Sequence, residues 1–275
     1  MLLIIGANGL LGSALVDAAL SRGLPCEGTS RKAGAKWLID LARPSGEWQI
    51  PAGVTSAILC AGITKISACE NDPATTRRVN IQSTLELASR LVGVGCRVAF
   101  LSSSQVFDQN LEIPPDESTA TAPTTEYGRQ KSETEKGILQ LSPGNLVVRL
   151  PKILHRKMAL VLNWKQRWGA GEIVEAYSDY YLSPISTAYF AHSLISILQL
   201  QHGGIFHLGA SDAISYYDFA KWLVSQWGID KRLLRPSSSA SPASPQSSML
   251  GCAYSARIAN LSIPNSLNML QSTFS

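Results

Sequence analysis

Tyr127-Gly128-Arg129-Gln130-Lys131 sets a phenol and an ammonium four residues apart, on one face of any helix that contains them. Such a pair suits proton transfer. The ammonium favours the phenolate and so lowers a tyrosine pKa that is ordinarily about 10, and it can also reach a nearby ribose. The spacing recurs at Tyr217 and Lys221, but there Tyr216, Phe219, Ala220 and Leu223 read as a core stripe, which assigns that copy to packing. About two dozen residues before Tyr127, the run FLSSSQVFD (Phe100 to Asp108) ends an apolar segment in Ser102, Ser103 and Ser104. Serine forms strands poorly, so the triplet marks either a turn or a place where chemistry happens.

A second constellation opens the chain. LLIIGANGLLGSAL places Gly6, Gly9 and Gly12 between a short apolar run and a helix-like segment. Gly6 permits a tight turn, Gly9 lets backbone approach a pyrophosphate, and Gly12 lets helix and strand pack closely. The helix N-terminus then offers free N–H groups and a positive dipole end to phosphates. At the end of the next strand an NAD site usually carries an acidic residue for the ribose hydroxyls. Here Thr29 and Ser30 are followed by Arg31 and Lys32, cations beside hydroxyls that suit a 2′-phosphate. Glu27 lies mid-strand, too early for that role. NADP is expected over NAD.

These residues need elements to hold them. From Met1 to about Leu150, short apolar runs alternate with helical stretches. Strands are expected at Leu2 to Ile5, Pro25 to Thr29, Trp37 to Leu41, Ala57 to Cys60, Val98 to Leu101 and Leu146 to Leu150. Helices are expected at Leu10 to Ser21, Thr75 to Val92 and Thr125 to Gln140, the last capped by Thr124 or Thr125 after Pro123. The alternation predicts an α/β fold, a Rossmann-type doubly wound parallel sheet over residues 1–150. Beyond Pro151 the rhythm changes: aromatics crowd between Trp164 and Tyr189, and helices are expected at Tyr189 to Gln201 and Tyr216 to Trp227. Residues 151–275 are read as a smaller α+β substrate-binding portion, with the first domain rejoined by about 185–202. The Ser/Pro-rich stretch 237–248 reads as a loop.

Composition excludes several classes. The chain has 275 residues, 45% hydrophobic and 16% charged, with net charge +4 and no run of like charges, so neither nucleic acid nor a membrane surface is expected as partner. Five cysteines without CxxC spacing and four dispersed histidines give no metal site. No apolar run reaches the length of a bilayer span, and a cytoplasmic protein is expected.

GANGLLGS, SSSQVFD and YGRQK together resemble the extended short-chain dehydrogenase/reductases, and within them the dTDP-4-dehydrorhamnose reductase group. CENDPATTRRVN, YYLSPISTAYFA and GGIFHLGASDAISYYDFAKWL extend the resemblance to about residue 225. It implies Ser103, Tyr127 and Lys131 as catalytic residues of an NADPH-dependent reductase of a keto-sugar, the sugar nucleotide-linked. It implies a cofactor site from Gly6, Asn8, Gly9, Leu10, Leu11 and Gly12, with Ser30, Arg31, Lys32, Asp40 and Leu41 on the adenine side. Cys60, Ala61, Gly62, Asn80, Ser102, Tyr127 and Lys131 would complete it. Ser104, Gln105, Asn163, Trp164 and Tyr181 are the substrate-side candidates, and a homodimer is one expected assembly. The group usually has Asp-Tyr where this chain has Ser104-Gln105. Dehydratases of the superfamily have Asp-Glu there, and epimerases usually continue Val-Tyr-Gly where this chain has Val106-Phe107-Asp108. The group's Arg-Pro-bearing substrate segment has no counterpart near the C-terminus, where Arg257 is the only arginine after Arg235. An NAD(P)-dependent nucleotide-sugar epimerase, and a non-catalytic NADP-binding regulatory subunit, stand as alternatives on the same scaffold.

Overall fold

The computed structural model describes residues 1–32, 34–107, 113–200, 202–239 and 246–275. Asp108, and 240–245 of the Ser/Pro-rich stretch, lie outside the described residues. Strands β1 (Leu2–Ile5), β2 (Cys26–Gly28), β3 (Ser56–Leu59), β4 (Arg97–Ser103) and β5 (Leu146–Leu150) alternate with α1 (Leu10–Ser21), α2 (Ile66–Asn71), α3 (Pro73–Arg77), α4 (Thr84–Gly93) and α5 (Glu126–Leu141). After β6 (Ile153–Leu154) come α6 (Ala159–Gly169), β7 (Val174–Tyr177), β8 (Tyr180–Leu182), β9 (Ile185–Ser186) and α7 (Thr187–Leu198). Then β10 (Gly204–His207) joins the central sheet, six parallel strands in the order β10-β5-β4-β3-β1-β2. The return of the chain to the sheet therefore runs past residue 202.

Successive residues of a strand face opposite ways, and here both faces are covered, so the strands are apolar throughout. Leu2, Ile4, Ala99, Leu101 and Val148 face α1 and α7, whereas Leu3, Ile5, Val98, Phe100 and Val147 face α4 and α5. Strand order reverses between β1 and β3, and ligands of such sheets bind at that switch point, off the carboxyl ends of the strands. The glycine turn and the Ser triplet both sit at those ends.

Two expected elements differ. Trp37 to Leu41 forms no strand. Only Ser30 and Leu38 bridge there, because the segment folds over the sheet edge and buries Ile39 and Leu41 in the second core. The Ser triplet accordingly ends the fourth strand, not the fifth. The helix expected over Thr75 to Val92 is interrupted by a π-type turn at Arg78–Ser83 between α3 and α4. Such bulges often mark working positions, and this one holds Asn80.

The remaining chain builds the second portion: β11 (Ile214–Ser215), α8 (Tyr216–Gln226), β12 (Leu234–Ser237), β13 (Gln246–Ser247), α9 (Ala253–Ala259) and α10 (Ser266–Phe274). It forms small sheets, β11-β8-β13, β12-β7 and β6-β9, of which the first and last place Tyr180 and Ile153 in the wall of the cleft.

Candidate active site

The turn after β1 is shaped by absence of side chains. Gly6 has φ +82°, and a Cβ on Gly12 would meet the Gly6 carbonyl oxygen at 2.3 Å. No side chain caps α1 at Gly9 and no acidic residue sits in its first turn, so its N–H groups and dipole stay open to an anion. Ala61 packs close to Gly6 from the neighbouring loop. The cradle fits a dinucleotide pyrophosphate.

Beside it, Asn8 Nδ2 donates to Ser30 Oγ at 2.8 Å, which fixes the turn against the end of the second strand. Arg31 and Lys32 are exposed, and neither forms an ion pair among the described residues. Glu27, the one carboxylate nearby in sequence, is held by Lys36 at 2.5 Å and by the Trp37 indole at 3.2 Å, and these bonds lower its pKa. Two free cations with the acid occupied elsewhere fit a 2′-phosphate. Asp40 uses its carboxylate on the Ala42 N–H, and Leu41 is buried in the core.

Asn80 clamps rather than lines. Its side chain accepts from Ile63 N at 2.8 Å and donates to Ile63 O at 2.9 Å and to Gln130 Oε1 at 2.8 Å. Gln130 in turn holds Thr76 and Glu126. The loop Cys60–Ile63 is thereby fastened to α5, the helix that carries Tyr127 and Lys131.

Helix α5 starts at a Thr125 cap, whose side chain accepts from Gly128 N at 3.1 Å. A Cβ on Gly128 would lie 2.1 Å from the Gln105 carbonyl oxygen, so the missing side chain lets the helix press against the turn after the Ser triplet. That contact sets the Ser103 hydroxyl beside the Tyr127 phenol. Burial pushes Tyr127 up to about 12, with Ser103 opposing it. The expected lowering by Lys131 is not met. The ammonium turns to the Leu101 carbonyl at 2.8 Å and lies 5.8 Å from the Tyr127 ring centroid and 4.4 Å from that of Phe100. Burial pulls Lys131 down to about 8. At neutral pH the pair is thus a neutral phenol above a charged amine.

Gly6, Gly9, Leu10, Leu11 and Gly12 share one cavity of about 710 Å³ with Cys60, Gly62 and the run Ser102 to Gln105, and Tyr127 opens into it as well. Asn8, Ser30, Arg31, Lys32, Asp40, Leu41, Ala61, Asn80 and Lys131 stand outside its wall. Ser102 also borders the cavity, and its Oγ is buried without a hydrogen-bond partner among the described residues. No carboxylate lines it among the described residues.

Three substrate-side candidates lie away from this cavity. Trp164 is buried in the core against Trp168 and Phe219, because Val161, Trp164 and Trp168 share the inner face of α6. Asn163 is exposed on that helix and does not reach the cavity. Tyr181 gives way to Tyr180, since neighbours on a strand point to opposite faces. The second wall is instead built from Lys152, His155, Met158, Tyr180, Tyr216 and Ser248. Tyr216, expected in a core stripe, packs edge to face on Tyr180 at 5.4 Å. The sequence signals Lys152 only by its place just after a strand end, and signals Tyr216 not at all.

The family model described as RmlD substrate binding domain matches residues 1–274. The chain is 27% identical over 245 residues to a dTDP-4-keto-6-deoxy-D-glucose reductase of Streptomyces niveus, covering 85% of this chain and 81% of that one. It is 28% identical over 249 residues to a dTDP-4-dehydrorhamnose reductase of Mycobacterium tuberculosis, covering 87% and 79%. In structure it resembles the dTDP-4-dehydrorhamnose reductase from Bacillus anthracis in complex with NADP, with TM-score 0.86, 22% identity and 99% and 96% of the two chains covered. A model that takes in all but the last residue, on a sheet that carries its glycine turn and YxxxK helix at the same edge, leaves one placement. The chain belongs to the RmlD substrate-binding-domain family, within the extended short-chain dehydrogenase/reductases.

Proposed function

We propose that this protein is an NADPH-dependent reductase of a nucleotide-linked 4-keto sugar. The observation that carries the reading is the meeting of Ser103 and Tyr127 at one wall of the cavity that the glycine turn opens, with Lys131 buried behind the phenol. Bound NADPH supplies the hydride. Tyr127, neutral at working pH, holds the proton that the carbonyl oxygen must receive, and releases it from its hydroxyl as negative charge develops there. Ser103 supplies a second hydroxyl to that oxygen, and an oxyanion is stabilised most by donors already in place. Lys131, fixed on the Leu101 carbonyl, keeps positive charge beneath the phenol and favours the phenolate left behind.

Against an epimerase stand the reductase names of the relatives that cover most of the chain. A regulatory subunit would not need the three groups together. The named reductase relatives, which span most of the chain, support reduction of a dTDP-linked sugar. Ser104 and Gln105 line the cavity in place of the group's Asp-Tyr, and Lys152 presents an amine on the substrate side beside His155, whose pKa is lowered by burial and by Lys152.

Tyr127→Phe is expected to abolish NADPH oxidation with a dTDP-4-keto sugar, at least a hundredfold on the general scale of roughly 10²–10⁴ for a lost proton donor. NADPH affinity by calorimetry should change little. Turnover equal to the parent protein would overturn the mechanism.

A further inference from the structure

Of the described residues that line the cavity, Lys152 alone carries a charge at neutral pH. Its amine forms no ion pair among the described residues. The residue is exposed overall, yet desolvation of the amine lowers its pKa, and no carboxylate nearby opposes that shift. His155 adds no second charge, because burial and then Lys152 push its imidazole below the usual histidine range. A partly desolvated ammonium without a counter-charge is unfavourable, and an anion brought by a ligand relieves it through a charge-assisted bond.

The place of Lys152 in the sheet says which ligand that is. Leu150, the last residue of β5, pairs with Ser103 on β4, and Lys152 follows two residues later, before β6. Its backbone carbonyl accepts from Ile185 N at 3.0 Å, so the main chain fixes the residue and leaves the side chain spare. The glycine turn follows β1, with β4 and β3 between it and β5. Three strand spacings amount to about 14 Å, more than twice the roughly 6 Å that a lysine side chain spans. Arg31 and Lys32 follow β2, one strand further still. The phosphate-binding features of the cofactor half are therefore out of this amine's reach, whereas Ser103 stands on the adjacent strand.

We infer that Lys152 is a specificity-determining residue of the substrate half: its ammonium meets an anionic oxygen that the keto-sugar carries, on its diphosphate or as a sugar carboxylate. The inference rests on the reading of the cavity as a keto-sugar site. A sugar without such a group leaves the one charge in the wall unpaired, so selection is by charge as well as by shape.

The test measures the affinities of dTDP, dTDP-glucose and dTDP-glucuronate by calorimetry with NADP⁺ present, for the parent protein and for Lys152→Gln. The variant is expected to bind about tenfold to a hundredfold more weakly, the range of a lost charge-assisted bond, with NADPH affinity unchanged. Equal losses with all three probes assign the diphosphate, and a loss with dTDP-glucuronate alone assigns the carboxylate. Lys152→Arg, which keeps the charge, should recover most of the affinity. Unchanged affinity for all three probes in folded Lys152→Gln overturns the inference. So does an equal loss of NADPH affinity, which would give the amine to the cofactor. Failure of the functional reading looks different: a parent protein that binds NADPH but none of the probes overturns that reading and the inference with it.

Discussion

Arg31 and Lys32 illustrate how much a single residue can settle. Both are exposed after the second strand and unpaired among the described residues, while Glu27, the carboxylate nearby in sequence, is occupied by Lys36 and Trp37. Arg31→Ala with Lys32→Ala is expected to weaken NADPH binding about tenfold to a hundredfold and leave NADH nearly unchanged, since only the charge-assisted bonds to the 2′-phosphate are lost. Calorimetry with both cofactors decides it, and equal losses would move the 2′-phosphate elsewhere. At this scale the sequence was a good guide wherever one short segment contains the whole device. Gly6, Gly9 and Gly12 act within one turn, and Tyr127 and Lys131 within one helix. It failed where the partner is distant: nothing near Lys131 in the chain shows that its ammonium goes to Leu101, or that Glu135 is answered by Arg149. Tyr181 was preferred to Tyr180 because the facing of a short strand depends on a register that only the folded sheet shows.

At the scale of elements, the close approach of α5 to the turn at Ser104–Val106 aligns phenol and hydroxyl. Gly128 is where helix and turn touch, and backbone on the far side cannot yield cheaply. Gly128→Ala is therefore expected to lower kcat about tenfold or more by displacing Tyr127 from Ser103, although alanine favours helix by roughly 1 kcal/mol on propensity alone. Equal kcat in the variant would show that the contact has slack. The element pattern was legible because strands buried on both faces read as apolar runs, and because Thr125 and Pro123 mark the start of α5. Two features were not. Ile39 and Leu41 are apolar because they enter a core beside the sheet edge, which imitates a strand in sequence. The bulge at Arg78–Ser83 is set by bonds that Asn80 makes to Ile63 and Gln130, far away along the chain.

Over the whole molecule, the ends of the central sheet have separate duties. The carboxyl end holds the cavity, and the opposite end is drawn together by Arg97, which donates to the carbonyls of Gly144, Leu198, Leu200 and His202. One guanidinium thus joins the start of β4 to the point where the chain re-enters the sheet as β10. Arg97→Met should lower Tm by about 5 °C, the scale of a few charged hydrogen bonds in a chain of this size, with kcat/KM unchanged. A loss of activity in the folded variant would show that the two ends are coupled. The unanswered hydroxyl of Ser102 belongs to the carboxyl end. An alanine there would avoid a desolvation cost of about 1–3 kcal/mol. Serine at this position is therefore not there for stability, and Ser102→Ala is expected to raise Tm rather than lower it.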